Sequence, residues 1–531
     1  MHRRMSGIYL VGFSIAATVW GCNGNNAAVQ SPPVASGGTA NVASTGTTLG
    51  GAVQSSGGTT NASGGTTSFV SNGGGAVASG GKASDGGATT ATTATTGGNP
   101  TRGGAGGSVT AGGSGGSATG GNVATGGVWR GPTPATTSAK FPFPQNRFST
   151  NCTYPTDFKN EDVQSVYTKW KADLVVSDNA GALRVIRPSE PGLEVNSTVS
   201  EGIAYGMLIS VYMNDQTVFD GLWKFALKYP SQAAVGLNNV QTMLMNWYVK
   251  PDGTLNSGDV NYQGAATDAD EDMAWALIMA DKQWGGQGSL SKSYLQSAKD
   301  LLNDIWTYEI LDSKLPKNGN RWGDWNSLNV SYFAPSYYRV FASVSGNASW
   351  NSGVVKCVYD TIAGNVTSAN GNLANGLVRA FSTSTGGAVK DQKDWYNYDS
   401  CRTPFRIGLD VCLTKSSADL WANAKDYVAK TSQFFAGIGA ANIVDGYQIN
   451  GTPKAEFGAR GYQGRSAAFI GPAGVGAMHS STYQTFINDV WGLIRQNNMW
   501  CGCQYYDESW TLLSMLMMSG NFLDYTTELP K

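Results

Sequence analysis

Histidine is almost missing from this chain: its 531 residues contain two, His2 and His479. His2 sits in an N-terminal leader, so one histidine is left for chemistry. A Ser–His–Asp triad would have to use His479, in Ala477-Met478-His479-Ser480-Ser481, and no Gly-x-Ser-x-Gly elbow on a strand accompanies it. Metal centres that need several histidines are excluded, and His479 reads as structural. There is no phosphate-binding loop of the Walker type and no dinucleotide fingerprint behind a strand. Charge of one sign is lacking too. The formal net charge is −1, without long runs of Lys or Arg, which argues against nucleic acid or an anionic membrane surface as the main partner. After the leader, no stretch is long and apolar enough to cross a bilayer, and alternating β-branched runs are scarce.

Cysteine is sparse but even in number once the leader is set aside. Cys152, Cys357, Cys401, Cys412, Cys501 and Cys503 permit up to three disulfides in an exported chain. Cys501-x-Cys503 is tighter than the usual Cys-x-x-Cys zinc knuckle, and nothing matches it elsewhere. Neither a metal nor another cofactor is expected.

What is present falls into three parts. Residues 1–22 read as an export signal, with a basic start at His2, Arg3 and Arg4 and an apolar core from Ile8 to Trp20 too short to span stably. The ending Thr18-Val19-Trp20-Gly21-Cys22 resembles a bacterial lipobox, which would make Cys22 a lipid-bearing N-terminus and a membrane anchor. Trp20 fits that pattern poorly, so simple cleavage and secretion stays open. Residues 23–138 are Gly, Ser, Thr, Ala and Asn with recurring Ser-Gly-Gly and Thr-Gly-Gly, and have too few large apolar side chains to offset the entropy of ordering. They read as a disordered tether with a coil-like reach on the order of 60 Å. The short extended stretch Phe141-Pro142-Phe143-Pro144 closes it.

From 139 to 531 the composition changes to Trp, Tyr, Phe, Met and Leu in helical patterns divided by Gly, Asn and Pro loops. Helices are expected to begin near Asp162, Ser200, Thr217, Asp268, Ser289, Ala334, Trp350, Asp399, Ala418, Thr482 and Glu508, and Val240 to Val249 reads as part of another. That many helices exceed one small bundle and suit helical hairpins arranged in a ring.

With the common schemes removed, carboxylate chemistry among aromatics remains. Glu201 lies in the first turn of the apolar helix that follows Val199-Ser200, where Thr198-x-x-Glu201 also fits a capping box. Asp268, Asp270, Glu271 and Asp272 crowd another helix start, where negative charge complements the helix dipole. Asp268-x-Asp270-x-Asp272 looks like the opening of an EF-hand loop, but Met273 stands where that loop needs Gly. Asp399 lies in Tyr398-Asp399-Ser400-Cys401-Arg402, with Arg402 one turn on and placed to pair with it. Trp247, Trp322, Trp325, Tyr332, Tyr337, Tyr338, Tyr505 and Tyr506 fall in or beside loops, as in a cleft that stacks sugar rings and bonds their hydroxyls.

Five ordered stretches carry a family resemblance: Ser200-Glu201-Gly202-Ile203-Ala204-Tyr205-Gly206, Ala266-Thr267-Asp268-Ala269-Asp270, Ser331-Tyr332-Phe333-Ala334-Pro335-Ser336-Tyr337-Tyr338, Tyr398-Asp399-Ser400-Cys401-Arg402-Thr403-Pro404, and Tyr505-Tyr506-Asp507-Glu508-Ser509-Trp510 with Met518-Ser519-Gly520-Asn521-Phe522. Together they resemble glycoside hydrolase family 8. The resemblance implies an all-α (α/α)6 barrel and hydrolysis of a β-1,4-linked polysaccharide with inversion at the anomeric carbon. It implies Glu201 as general acid, Asp399 as general base and Asp268 as a carboxylate beside the scissile bond. Arg402 would lie near the base and keep it ionised, and Tyr398, Tyr332, Trp322, Trp247, Tyr505 and Tyr506 would contact sugar. The chain departs from the family pattern in its tether, its cysteines and Val330, where the pattern has Pro. The expected activity is an endo-β-1,4-glucanase on cellulose or mixed-linkage glucan, exported and monomeric. An endo-xylanase or chitosanase is the alternative within the family, and the other function classes are a non-catalytic carbohydrate-binding surface protein on the same fold and a transferase or polysaccharide-synthase accessory.

Overall fold

In the computed structural model the described residues are 139–189, 192–232, 241–256, 263–324, 326–413, 418–456, 464–498 and 500–527. The leader, Cys22, the tether and Trp325 therefore lie outside the described residues. Burial sorts the helices into two kinds. Six keep exposed or half-buried positions along their length, five of them outside a single buried stripe as amphipathic surface helices do and α3 only at its ends and Lys224: α1 (Asn160–Leu174), α3 (Gln216–Lys228), α5 (Tyr294–Tyr308), α7 (Val355–Asn365), α9 (Ala418–Ile438) and α11 (Gln484–Ile494). In α1 the stripe is Val163, Val166, Tyr167, Trp170 and Leu174. The six that alternate with them are α2 (Ser200–Tyr212), α4 (Thr267–Gln283), α6 (Pro335–Ser345), α8 (Thr403–Leu413), α10 (Ala467–Ala477) and α12 (Gln504–Met518). Apart from α6, these are buried over nearly their whole length.

The packing order is α2 on α4, α4 on α6, α6 on α8, α8 on α10, α10 on α12, and α12 back on α2. The even helices thus close an inner ring, and each odd helix packs outside its neighbours: α3 on α2, α5 on α4, α7 on α6, α9 on α8 and α10, α11 on α10, and α1 on α12. This is an (α/α)6 barrel. All inner helices run the same way, so their N-termini share one end. Among the described residues there are four antiparallel two-stranded ribbons: β1 (Val175–Ser177) with β2 (Leu183–Val185), β3 (Thr198–Val199) with β6 (Tyr248–Val249), β4 (Pro230–Gln232) with β5 (Gln241–Met245), and β7 (Leu328–Asn329) with β8 (Phe381–Ser382). β3 runs straight into α2, and β5 and β6 replace the helix expected over Val240 to Val249. There Met243 N–H reaches Asp304 and Met245 N–H reaches Asp270, so side chains from α5 and α4 draw the segment out as a strand.

The opposite end is covered by residues 140–153. Lys140 N–H bonds Gln283 O at the end of α4, and Gln145 Nε2 bonds Tyr212 O at the end of α2. Arg147 N–H bonds Gly520 O just past α12, Thr153 N–H bonds Met478 O just past α10, and Cys152 is disulfide-bonded to Cys412 in the last turn of α8. Cys501 and Cys503 form a second disulfide, whereas Cys401 keeps a buried free thiol, so the six cysteines do not all pair among themselves.

The helix expected near Trp350 starts there as a π-helical turn, Trp350–Val354, that runs into α7. Three other helix starts move. α5 begins at Tyr294, capped by Ser293, because Ser289 is drawn to Asp220. α8 begins at Thr403, leaving Asp399 in the turn before it. α12 begins at Gln504 rather than near Glu508. α10 was not expected. Its sequence, Ala467-Ala468-Phe469-Ile470-Gly471-Pro472-Ala473-Gly474-Val475-Gly476-Ala477, has loop-forming residues and no polar face, yet every residue is buried. The small residues serve packing: a Cβ on Gly471 would stand 2.2 Å from Ser514 Oγ on α12, and one on Gly474 2.5 Å from Val490 on α11. Tyr337 and Tyr338 are core rather than cleft residues. Tyr337 stacks on Trp275 at 4.2 Å, and Tyr338 donates to buried Glu271. No helix of the described residues is long and apolar enough to cross a membrane.

Candidate active site

The N-terminal end of the inner ring opens into a cavity of about 280 Å³. Its charged walls come from opposite sides of the barrel. Glu201, in the first turn of α2, faces Arg402, which precedes α8, and in ring order α2 and α8 are diametrically opposed. Arg402 is buried and crosses the axis. Its Nη1 bonds both Glu201 and Asp268 Oδ2 (2.6 Å to the latter), its Nε bonds Ser331 Oγ at 3.1 Å, and its guanidinium lies 5.1 Å from the Tyr332 ring. Tyr505, from the first turn of α12, donates its hydroxyl to the other oxygen of Glu201. Burial raises the Tyr505 hydroxyl well above the usual tyrosine value, with the charge of Glu201 adding to it, so it stays a donor.

Glu201 is not held as a helix cap. Val199 occupies the cap position without a side-chain bond, and Thr198 Oγ1 donates to Val185 O instead. The carboxyl is therefore free for Arg402 and Tyr505. Behind it, Asp268 is 1% exposed. Burial pushes its carboxyl up, Arg402 pulls it down and Glu201 pushes it up again, leaving it at about 7. Asp268 therefore keeps its proton up to about neutral pH while sharing one guanidinium with Glu201.

On the other wall, Asp399 sits in the turn 397–401, where Asn397 Oδ1 accepts its N–H at 2.8 Å. Its carboxylate is 35% exposed and 3.8 Å from Lys393 Nζ. Lys393 also pairs with Glu456 at 3.2 Å. Tyr398 donates to buried Asp445 at 3.1 Å, and Asp445 also accepts the Glu456 N–H at 2.8 Å. The arrangement places two carboxyl groups on one open cavity, one within a buried charge network and one near solvent. That asymmetry is what acid–base chemistry on a bound substrate needs.

A family model described as glycosyl hydrolases family 8 matches residues 142–520. The chain belongs to this family.

Membership of family 8 makes it a glycoside hydrolase. Endoglucanase A of Acetivibrio thermocellus is 32% identical over 364 residues, 68% of this chain and 69% of that protein. Beta-glucanase of Niallia circulans is 31% identical over 417 residues, 72% of this chain and 91% of that protein. The apo structure of beta-1,3-1,4-glucanase from Paenibacillus sp. X4 aligns with a TM-score of 0.60 at 29% identity, covering 72% of this chain and 98% of that one.

Within this family 8 site, the cavity wall brings together Glu201, Asp399, Arg402, Tyr332, Tyr398, Tyr505 and Tyr506. Asp268 lies one layer behind, and its Oδ1 has no hydrogen-bond partner among the described residues. Trp247 and Trp322 are not in the wall. Trp247 lies between β5 and β6 and accepts the Ser200 N–H through its carbonyl, while Trp322 packs against Gly264 and Gly319. The expected pairing of Arg402 with Asp399 does not form, because the guanidinium is spent on Glu201 and Asp268 across the barrel. Sequence reasoning missed Arg187, Lys393, Glu456 and Cys503, which also line the cavity. They stand on connecting segments with no periodicity, and only their three-dimensional neighbours single them out. The four acids at the start of α4 do not converge on an ion. Asp268 faces Arg402, Asp270 takes the Met245 N–H, Glu271 takes Tyr338 and Asp272 pairs with Arg406. His479 bonds Gly476 O at the end of α10, and burial lowers its pKa, as suits a structural role.

Proposed function

We propose that this protein is an inverting endo-β-1,4-glucanase with Glu201 as general acid and Asp399 as general base. The observation that carries the reading is that these two carboxyls open on one cavity from opposite sides of the barrel, in different electrostatic settings. In an inverting reaction one carboxyl protonates the leaving oxygen while the other activates water on the far face of the ring. Tyr505 and Arg402 fix the two oxygens of Glu201. Asp399 is solvent-accessible, where water can reach it. Asp268 acts from behind, through the Arg402 guanidinium it shares with Glu201, rather than touching sugar. Tyr332, Tyr398, Tyr505 and Tyr506 supply faces and hydroxyls for the chain.

The names of the relatives support a glucan substrate. Exo-oligoxylanases are also relatives, with that of Halalkalibacterium halodurans 25% identical over 353 residues, so xylan is the second reading. Hydrolysis of carboxymethylcellulose, lichenan, xylan and chitosan side by side separates them. Proton NMR of the first products then tests the stereochemistry: the β-linked substrate should release the α-anomer, and a β-anomer would sink the inverting assignment.

We also propose that residues 1–22 export the chain, that residues 23–138 tether the catalytic part, and that Cys22 carries a lipid. The basic-then-apolar leader and the small residue before Cys22 support this. Cys22→Ser should release the protein from membranes, whereas a wild-type protein found wholly unlipidated in the medium would refute the anchor.

A further inference from the structure

Three cations and three carboxylates line the cavity: Arg187, Lys393 and Arg402 against Glu201, Asp399 and Glu456. Two of the cations are committed elsewhere. Arg402 serves Glu201 and Asp268. Arg187, itself 7% exposed, lies over the Tyr505 ring at 5.6 Å and bonds Ser197. Lys393 alone among these lining residues neutralises the wall around the proposed base. Its ammonium stands 3.8 Å from Asp399 and 3.2 Å from Glu456.

The Lys393–Asp399 pair adds little to folding, since its side chains are 41% and 35% exposed. The frame beneath them is nevertheless fixed. Asp445 receives the Tyr398 hydroxyl on one oxygen and the Glu456 N–H on the other, tying the residue beside Asp399 to the backbone of Glu456.

We propose that Lys393 sets the charge class of the substrate, reserving the cleft beside Asp399 for neutral sugar rings and excluding glucosamine chains. The Lys393 ammonium already occupies the position that a glucosamine ammonium would take between two carboxylates. A polycationic chain would have to displace it and would meet its charge, whereas a neutral glucan loses nothing. Without Lys393 the same frame becomes a two-carboxylate ammonium site and the cavity gains a net negative charge. This inference rests on the glycanase reading above and narrows its substrate class.

The test compares Lys393→Met and Lys393→Arg with wild type, using kcat/KM on lichenan and on fully deacetylated chitosan. Binding of cellotetraose and of the glucosamine tetramer is measured in a Glu201→Gln background, so that affinity is read apart from turnover. Lys393→Met should raise the chitosan-to-lichenan ratio and the relative affinity for the glucosamine tetramer by roughly tenfold or more, and added salt should erode that gain. Lys393→Arg, which keeps the charge, should keep the wild-type ratio. Melting curves check that the variants fold, and Lys393→Gln repeats the measurement if Lys393→Met does not. The proposal is overturned if wild type binds the glucosamine tetramer as well as cellotetraose, if neutralising Lys393 leaves the ratio unchanged, or if Lys393→Arg behaves like Lys393→Met. Failure of wild type to cleave any neutral glucan would instead refute the glucanase reading, and the binding ratio would still decide the role of Lys393.

Discussion

Arg402 is shared by two carboxyl groups, and the consequences can be measured one residue at a time. Glu201→Gln keeps a group that can bond Tyr505 but removes the transferable proton, and Asp399→Asn removes the base. Each should lower kcat by roughly a thousandfold or more with small change in substrate affinity; near-normal turnover in Asp399→Asn would move the base role to another acid. Asp268, held at about 7, titrates inside the working pH range. As pH rises through about 7 it becomes a second negative charge on the guanidinium that holds Glu201, so the pH profile of kcat should inflect there. Asp268→Asn removes that titration, and the inflection should vanish. An inflection that stays in place would show that Asp268 does not act on Glu201. At this scale the scarcity of other catalytic candidates singles out Glu201 and Asp399 in the sequence, and both line the cavity. The partner of Arg402 was not legible there, since spacing along the chain points to Asp399 while the side chain crosses the barrel axis to α2.

At the scale of the element, α10 shows what periodicity leaves out. A helix in the inner ring has no solvent face, so Ala467–Ala477 lacks the polar stripe that made α1, α5 and α11 readable. Its glycines and Pro472 suggest a loop until the neighbours are seen. Gly474→Leu should drive a side chain into Val490 and destabilise the fold by about 1–3 kcal/mol, read as a lower midpoint in urea, whereas an unchanged midpoint would mean α10 and α11 can separate at little cost. The expected helix over Val240 to Val249 failed for the converse reason: its side-chain pattern allowed a helix, and backbone bonds to Asp304 and Asp270 impose a strand. The Cys152–Cys412 disulfide ties the segment under the barrel to α8 across 260 residues of sequence. Cys152→Ser with Cys412→Ser should cost about 2–5 kcal/mol, measurable as a drop in Tm.

For the whole molecule, the buried acids of α4 and the residue that ends α5, Glu309, give stability a pH slope. Burial, only partly offset by Lys317, raises Glu309 from 4.5 to about 8, and burial likewise raises Asp270 and Glu271. Carboxyls whose folded pKa exceeds the unfolded value bind extra protons in the native state, so their contribution is full below about pH 4.5 and is lost as pH rises through about 8. The free energy of unfolding should therefore decline between about pH 5 and about pH 8, and Glu309→Gln should flatten the decline. A slope that survives that substitution would assign it to other groups. Removing residues 23–135 should leave folding and activity on soluble glucan unchanged, because that composition offers nothing to pack; a large fall in Tm would count against it.

Residues 140–153 cross the C-terminal ends of five inner helices, while the cavity opens among the N-terminal ends. Residue 139 is thus the grip of a tool whose jaws are at the far end. A surface, a bead or a partner domain joined there takes hold of the side that does no chemistry, and the mouth stays clear for a polymer too long to be swallowed. Coupling the enzyme to a solid support through that grip should preserve its attack on insoluble glucan, whereas coupling through the rim around Lys393 and Glu456 should silence it.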